Sequence, residues 1–495
     1  MNGQTAQHRR ILQRIADRAM TEAGLLPHFS PAALSELSRL GAPASAGDGV
    51  RDLRQMLWCS IDNDDSLDLD QLTLGESLPG DRIRILVAVA DVDSLVKDGS
   101  AINDHAEHNT TSVYTAARMY PMIPEQLSTG LTSLNPSEDR LALVVDMTIA
   151  ADGTLPESDI YRALVRNQAK LAYNGVAAWL EAADKEPPQL IRAVTGLAEN
   201  LRLQDKAAQR MKNFRHLQGA LSLETIEARP VFDGDQLSAL ETEEKNRAKE
   251  IIENFMVAAN GVTARYLSAH SFASIRRVVR VPKRWDRIVE IAAQHGASLP
   301  AVPDSKALEE FLVRQKAADP VRFPDLSLSV IKLLGSGEYA VDLPGQDAPG
   351  HFGLAVRDYA HSTAPNRRYP DLLTQRMLKA ALAAQPQPYN EEVLNALAEH
   401  CTMSEDVAVK VERRVGKSAA ALLLESRIGE EFDAVVTGTA DKGTWVRLLS
   451  VPVEGKLVRG FQGVDVGDRV RVQLIETDVE AGFIDLALVG STSHR

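Results

Sequence analysis

Between Cys59 and Leu72 the chain reads Cys-Ser-Ile-Asp-Asn-Asp-Asp-Ser-Leu-Asp-Leu-Asp-Gln-Leu, and positions 62 to 70 hold five aspartates in nine residues. At an effective dielectric of about 20, two carboxylates about 4 Å apart repel by roughly 4 kcal/mol. A fold that gathers such charges must protonate some of them or neutralise them with cations. Mg²⁺ suits the task because it takes hard oxygen ligands and bridges to phosphates. Fully extended, Asp62 and Asp68 would lie roughly 20 Å apart, so sharing a cation requires the chain to turn between them. Asn63-Asp64-Asp65-Ser66 is rich in turn formers. Beyond it Leu67 and Leu69 alternate with Asp68 and Asp70, a period of two that predicts both leucines on one face and both carboxylates on the other. A solvated acidic loop is the commonest fate of such a run, but Ile61, Leu67, Leu69 and Leu72 tie this one to a core. A calcium EF-hand loop needs Gly at its sixth position and Glu at its twelfth. Counting from Asp62 those are Leu67 and Thr73, and from Asp64 they are Leu69 and Gly75. A helix N-cap explains one aspartate, not five.

A chain of 495 residues exceeds one ordinary domain, and roughly two to four are expected. No apolar run reaches the length of a membrane span, and the opening MNGQTAQHRR lacks a signal-peptide core, so no membrane association is expected. Cys59 and Cys401 are the two cysteines, which excludes a disulfide framework and a cysteine zinc site and fits a reducing cytoplasm. The net charge of −13 argues against a general nucleic-acid coat. Basic residues are nonetheless clustered, at Arg276, Arg277, Arg280, Lys283, Arg284 and Arg287, at Arg367 and Arg368, and at Lys410, Arg413, Arg414 and Lys417. A groove lined by such clusters can draw in a phosphate chain, although solvated helix faces are the bland reading.

Apolar spacing predicts an amphipathic helix over 5–24, and Ser30-Pro31 opens a second that runs to about Leu40. The pair is read as a helical module over 1–45, either a helix-turn-helix or a packing arm, followed by a Gly/Ala/Pro-rich linker. Ile83–Ala90 and Leu141–Ile149 read as buried strands. Helices are predicted over 160–182, 189–218, 241–268, 285–295, 306–317, 369–384 and 391–428. Strands followed by many helices give an α+β fold for 50–427. From 428 to 492, five short segments with Gly-centred turns predict a five-stranded OB-type barrel. Phe432, Trp445 and Phe461 could offer stacking platforms there or fill the barrel core.

Several motifs recur in a familiar order. Asp62, Asp68 and Asp70 follow the pattern Asp, five residues, Asp, one residue, Asp, with Gln71 where a further Asp would follow. Ala90-Asp91-Val92, Asp104, Thr111-Ser112-Val113-Tyr114, Pro121 to Pro124, Ser133-Leu134-Asn135-Pro136, Lys170 to Tyr173 and His351 to Leu354 come next. Tyr359 to Asp371 then carries Arg367 and Arg368, with Ala364 and Asn366 as departures. Over roughly 50–490 the chain resembles the ribonuclease II and ribonuclease R exoribonucleases, an RNB catalytic domain followed by an S1 barrel.

That resemblance implies hydrolysis of single-stranded RNA from its 3′ end to nucleoside 5′-monophosphates, with Mg²⁺, or alternatively Mn²⁺, as cofactor. Asp62, Asp68, Asp70 and Gln71 would ligate metal, and Asp70 and Arg367 would be catalytic. Arg367 can bind phosphate oxygens in a bidentate manner, while Arg368 is expected to brace it. Tyr114, Tyr173, Glu405 and Trp445 would contact RNA, with Glu405 accepting a bond from a ribose hydroxyl. Trp285 is a candidate partner opposite Tyr114. Gln71 brings no charge, and Asp64 or Asp65 in the adjacent turn is the candidate to restore it. A monomer with no DNA partner is expected. The rival reading is a catalytically impaired RNA-binding protein derived from the same family. A third, a DNA-binding regulator built on residues 1–40, lacks a basic recognition helix.

Overall fold

The computed structural model describes residues 7–491 except 183, 226–227, 243–244, 347–348 and 441–442. Helices α1 (His8–Glu22) and α2 (Pro31–Leu37) precede strands β1 (Arg51–Asp52), β2 (Cys59–Asp62), β3 (Gln71–Leu78) and β4 (Arg82–Ala90). Helix α3 (Ala101–Asn109) and the ribbon β5 (Val113–Tyr114) and β6 (Met119–Tyr120) follow. Next come β7 (Asp139–Ile149), β8 (Glu157–Arg166) and β9 (Ala169–Ala172), then α4 (Tyr173–Leu180), α5 (Gln189–Arg192) and α6 (Leu197–Leu217). A hairpin, β10 (Ala228–Asp233) and β11 (Gln236–Thr242), leads into α7 (Arg247–Ala269) and β12 (Ser274–Val278). Helices α8 (Trp285–Gln294), α9 (Ser305–Ala318) and α10 (Phe323–Leu334) form a small layer of their own before β13 (Glu338–Asp342). Two long helices, α11 (Tyr369–Leu382) and α12 (Glu391–Leu424), carry the chain to β14 (Glu431–Ala440), β15 (Gly443–Leu448), β16 (Glu454–Arg459), β17 (Arg469–Asp478) and β18 (Phe483–Ser491).

The main sheet has seven strands in the order β1-β8-β7-β4-β3-β2-β9. Its centre is apolar on both faces: Ile85 to Ala90 of β4 and Val144 and Val145 of β7 are buried, as a strand covered on two sides requires. Helices α6 and α7 pack on each other and across β2, β3, β4, β7 and β8. Strand β2 meets β3 only at Cys59 and Thr73 before the two diverge. The freed backbone of β3 is satisfied by α6, where Asn200 accepts from the Gly75 N–H at 3.1 Å and donates to its carbonyl at 2.8 Å. This divergence opens the end of the sheet where Asp62 stops one strand and Gln71 starts the next.

The α+β class and the closed five-strand barrel, β14-β15-β16-β18-β17, agree with the sequence reading. Three local readings change. Residues 157–166 and 169–172 are strands, not the start of a helix: β8 pairs along its whole length with β7, and Tyr161, Ala163 and Val165 point into the core. The helix expected from 189 breaks at Gly196, which sits at φ +83°. The segment from 241 begins as the end of β11 and becomes helical only at Arg247. Helices α1 and α2 dock separately, α1 along α12 and α2 against α3.

Candidate active site

The acidic run is a loop at the diverging ends of β2 and β3. Asp62 starts it, its Oδ1 accepting from the Asn63 N–H at 2.7 Å and from the Ser66 hydroxyl at 3.0 Å. Lys170 donates to the Ser66 carbonyl from β9. The return half is held by one hydroxyl: Ser133 Oγ donates to the Leu67 carbonyl at 2.8 Å and accepts from the Leu69 N–H at 3.0 Å, spanning Asp68. Because Leu67 and Leu69 bond to this neighbouring segment, through Ser133 and the Leu134 N–H, and not to a ladder strand, the expected alternation fails. Leu69 is buried at 1%, but Leu67 stands 61% exposed, contrary to its assignment to the core.

Asp70 is buried, with the Asn366 N–H donating to its Oδ1 at 3.0 Å and Arg367 Nε to its Oδ2 at 3.3 Å. Burial pushes its carboxyl up to about 7, against the pull of the Arg367 guanidinium. Asp68 is also shifted upward, by burial first. The loop carrying Arg367 is zipped to the Tyr114 segment: the Ser112 N–H donates to the Arg367 carbonyl at 2.9 Å and the Tyr369 N–H to the Thr110 carbonyl at 2.7 Å. Glu412 of α12 accepts from the Tyr114 N–H at 2.7 Å.

These elements enclose a cavity of about 910 Å³. Asp62, Asp68, Asp70, Gln71, Tyr114, Tyr173 and Arg367, all singled out from sequence, line it together. Three others do not. Arg368 turns to Asp371 at 2.7 Å, Glu405 is bound to Arg277, and Trp445 lies on β15 of the barrel, opposite Lys456. Trp285 is no partner for Tyr114, because it is buried among α8–α10 with its indole N–H on the Pro300 carbonyl at 2.8 Å. The cavity lining also holds Ile252, Met256 and Pro324, and Tyr173 is its second aromatic. Phe432 is buried in the barrel core, while Phe461 is exposed.

Asp64 and Asp65 face a neighbouring cavity of about 630 Å³, and Asp65 is paired there with Arg229. The carboxylates that join the aspartates in the main cavity are Glu224 and Glu253, which the sequence reading missed together with Lys245 and Lys249. Lys249 Nζ lies 5.9 Å from the centre of the Tyr173 ring. The signal was there in the spacing: Lys249, Ile252, Glu253 and Met256 recur at three and four residues, one face of α7.

Over residues 50–384 the sequence matches the RNB domain, and over 430–489 the RNase II-type exonuclease C-terminal S1 domain. The chain belongs to the RNB family. A ribonuclease R of Vibrio cholerae is 30% identical over 489 residues, covering 92% of this chain and 58% of that protein. The ribonuclease R of Escherichia coli K12 is likewise 30% identical over 489 residues, covering 91% of this chain and 58% of its own length. The chain therefore spans about three fifths of these curated relatives. The structure of Mycoplasma genitalium RNase R in complex with ribose-methylated single-stranded RNA superposes with a TM-score of 0.87 at 22% identity, covering 97% of this chain and 78% of that one. At that identity the likeness concerns the RNB fold alone.

RNB nucleases generally depend on a divalent metal. The lining suits a hard cation by type: three aspartates, among them the buried Asp70, whose carboxyl is pushed up to about 7 by burial, and an amide oxygen from Gln71. As they stand, no three acidic, His or Cys side chains among the described residues converge on one ion-sized point. The fit is thus one of donor chemistry and charge.

Proposed function

We propose that this chain hydrolyses single-stranded RNA from the 3′ end and releases nucleoside 5′-monophosphates. The observation that carries the reading is the convergence of Asp62, Asp68, Asp70 and Arg367 on one cavity with Tyr114 at its side. Membership of the RNB family and relatives named ribonuclease R support it. Asp62, Asp68, Asp70 and Gln71 would hold Mg²⁺, with Mn²⁺ as the alternative; bound there, the cation would activate water and stabilise the leaving oxygen. Arg367, tethered to Asp70 through Nε, keeps its terminal nitrogens for phosphate oxygens and orients the scissile group. Lys245 and Lys249 add positive charge along the same wall and draw the backbone inward. Tyr114 stacks on a base near the end of the strand, and Tyr173 contacts the terminal nucleotide. Gln71 leaves the acidic set one charge short, so a higher cation requirement follows. Arg368 serves as a brace through Asp371, and the barrel, with Trp445 on its flank, holds RNA upstream.

Both thiols, Cys59 and Cys401, are buried and unpaired, which supports action in a reducing cytoplasm, and we take the working unit to be a monomer. No helix among the described residues is long and apolar enough to cross a membrane. The test is 5′-labelled poly(A) incubated with Mg²⁺, with and without chelator. Laddering that stops on chelation is expected. Gel retardation without laddering would replace this reading with an RNA-binding protein.

A further inference from the structure

Tyr114 sits on β5, one strand of a ribbon with two residues on each side, too short to hold its own shape in water. Its supports are external. The Arg367 loop and Glu412 hold it from within, as described. From the outside it is held by α1. Ala16, Ala19 and Met20 of α1 pack against Val113 and Tyr120. The Tyr120 hydroxyl donates to Asp17 Oδ1 at 2.6 Å. Arg9 Nη1 reaches the Ala117 carbonyl in the ribbon's turn at 3.5 Å. The same side chain stitches in the second hairpin beside the cavity, with Nη2 on the Gly234 carbonyl at 3.3 Å and its guanidinium 4.2 Å from the Phe232 ring centre.

Helix α1 is itself fixed on three sides. Leu12 and Ile15 are fully buried. Arg18 pairs with Glu480 in the β17–β18 turn at 2.7 Å, and Glu22 pairs with Arg414 of α12 at 2.6 Å. An apolar stripe would suffice for docking alone. A charge-assisted bond aimed at the hydroxyl of the strand facing Tyr114 does something narrower, because it fixes the rotation of the ribbon on the helix.

We propose that α1 belongs to the RNA-gripping machinery, with Asp17 a positioning residue that acts through Tyr120 to hold Tyr114 in its stacking pose. The proposal rests on RNA being the substrate. It places the specificity for stacked single strands partly in a helix that does not line the cavity.

The test compares Asp17→Ala, Asp17→Asn, Tyr120→Phe and Tyr114→Ala in the full chain. Binding of fluorescein-labelled oligo(A) is measured in chelator, and turnover in Mg²⁺. Asp17→Ala and Tyr120→Phe should raise Kd and KM about 5- to 10-fold, the loss of one charge-assisted hydrogen bond, with kcat within about twofold. Asp17→Asn, which keeps an acceptor oxygen, should recover most of the affinity. Asp17→Ala combined with Tyr114→Ala should bind no more weakly than Tyr114→Ala alone, because nothing is left to position. Amide exchange over 113–120 should quicken in Asp17→Ala while the main sheet stays protected. Additive losses in the double variant, or unchanged Kd in both single variants, would overturn the proposal. A wild-type chain that binds but does not cut overturns the exonuclease reading and leaves this one standing.

Discussion

Asp70 takes two donors from one loop and almost no solvent, and burial pushes its carboxyl up to about 7. In the cation-free fold it keeps its proton well above the usual carboxylate range. Its contribution to stability is therefore complete below about pH 4 and lost as pH rises through about 7. A bound cation offsets that loss at pH 8, whereas at pH 5.5 it must first expel the proton. The rise in Tm on adding Mg²⁺ should be larger at pH 8 than at pH 5.5, and equal rises at the two values would contradict the assignment. Asp70→Asn should remove the difference and lower RNA hydrolysis by about 100-fold or more. Ser133→Ala strips one partner from each of two peptide groups flanking Asp68, at a cost of about 1–3 kcal/mol. Turnover should fall about tenfold and Tm by a few degrees, read by single-turnover kinetics and a melt. At this scale the aspartates and Arg367 were legible because their chemistry is rare in such density. Leu67, Glu405 and Trp285 were not, because exposure, the Arg277 pair and an indole bond to Pro300 depend on segments distant in sequence.

Elements show the same division. IRILVAVA and the apolar run of β7 announced central strands, since short apolar runs rich in Val and Ile suit a strand covered on both faces. Strand β8 misled, because Ile160, Ala163 and Leu164 mimic helical spacing while Arg162, Leu164 and Arg166 alternate with the buried Tyr161, Ala163 and Val165. Pairing with β7 decided between two periods that the sequence satisfies equally. The β10–β11 hairpin had a signal that went unused: Gly234-Asp235 is a dipeptide favoured in two-residue turns, and Gly234 sits at φ +59°. Gly153 matters for a different reason. It lies at φ +88°, and a Cβ there would meet the Arg210 carbonyl oxygen of α6 at 2.3 Å. Gly153→Ala should cost at least about 2 kcal/mol, visible as a lower urea midpoint at unchanged m-value.

The whole molecule is held together by contacts that composition does not foretell. The barrel was legible as five strands between Gly-centred turns, but its seat was not. Arg447 of β15 grips Asp325 at the start of α10 in a bidentate pair, at 2.8 and 3.2 Å, beside the Pro324 that lines the cavity. Arg447→Ala should quicken amide exchange across 431–491 and leave the main sheet protected, since this pair is partly shielded from solvent. Exchange unchanged in the barrel would mean that the pair adds nothing to its seating. Helix α12 makes a firmer connection. Ala420, Ala421 and Leu424 near its end are part of the barrel core, and Glu412, further back, caps the Tyr114 peptide. At 34 residues it is a rod of about 50 Å. The barrel core and the peptide that bears Tyr114 thus hang on one continuous helix, so that a shift of either is felt by the other.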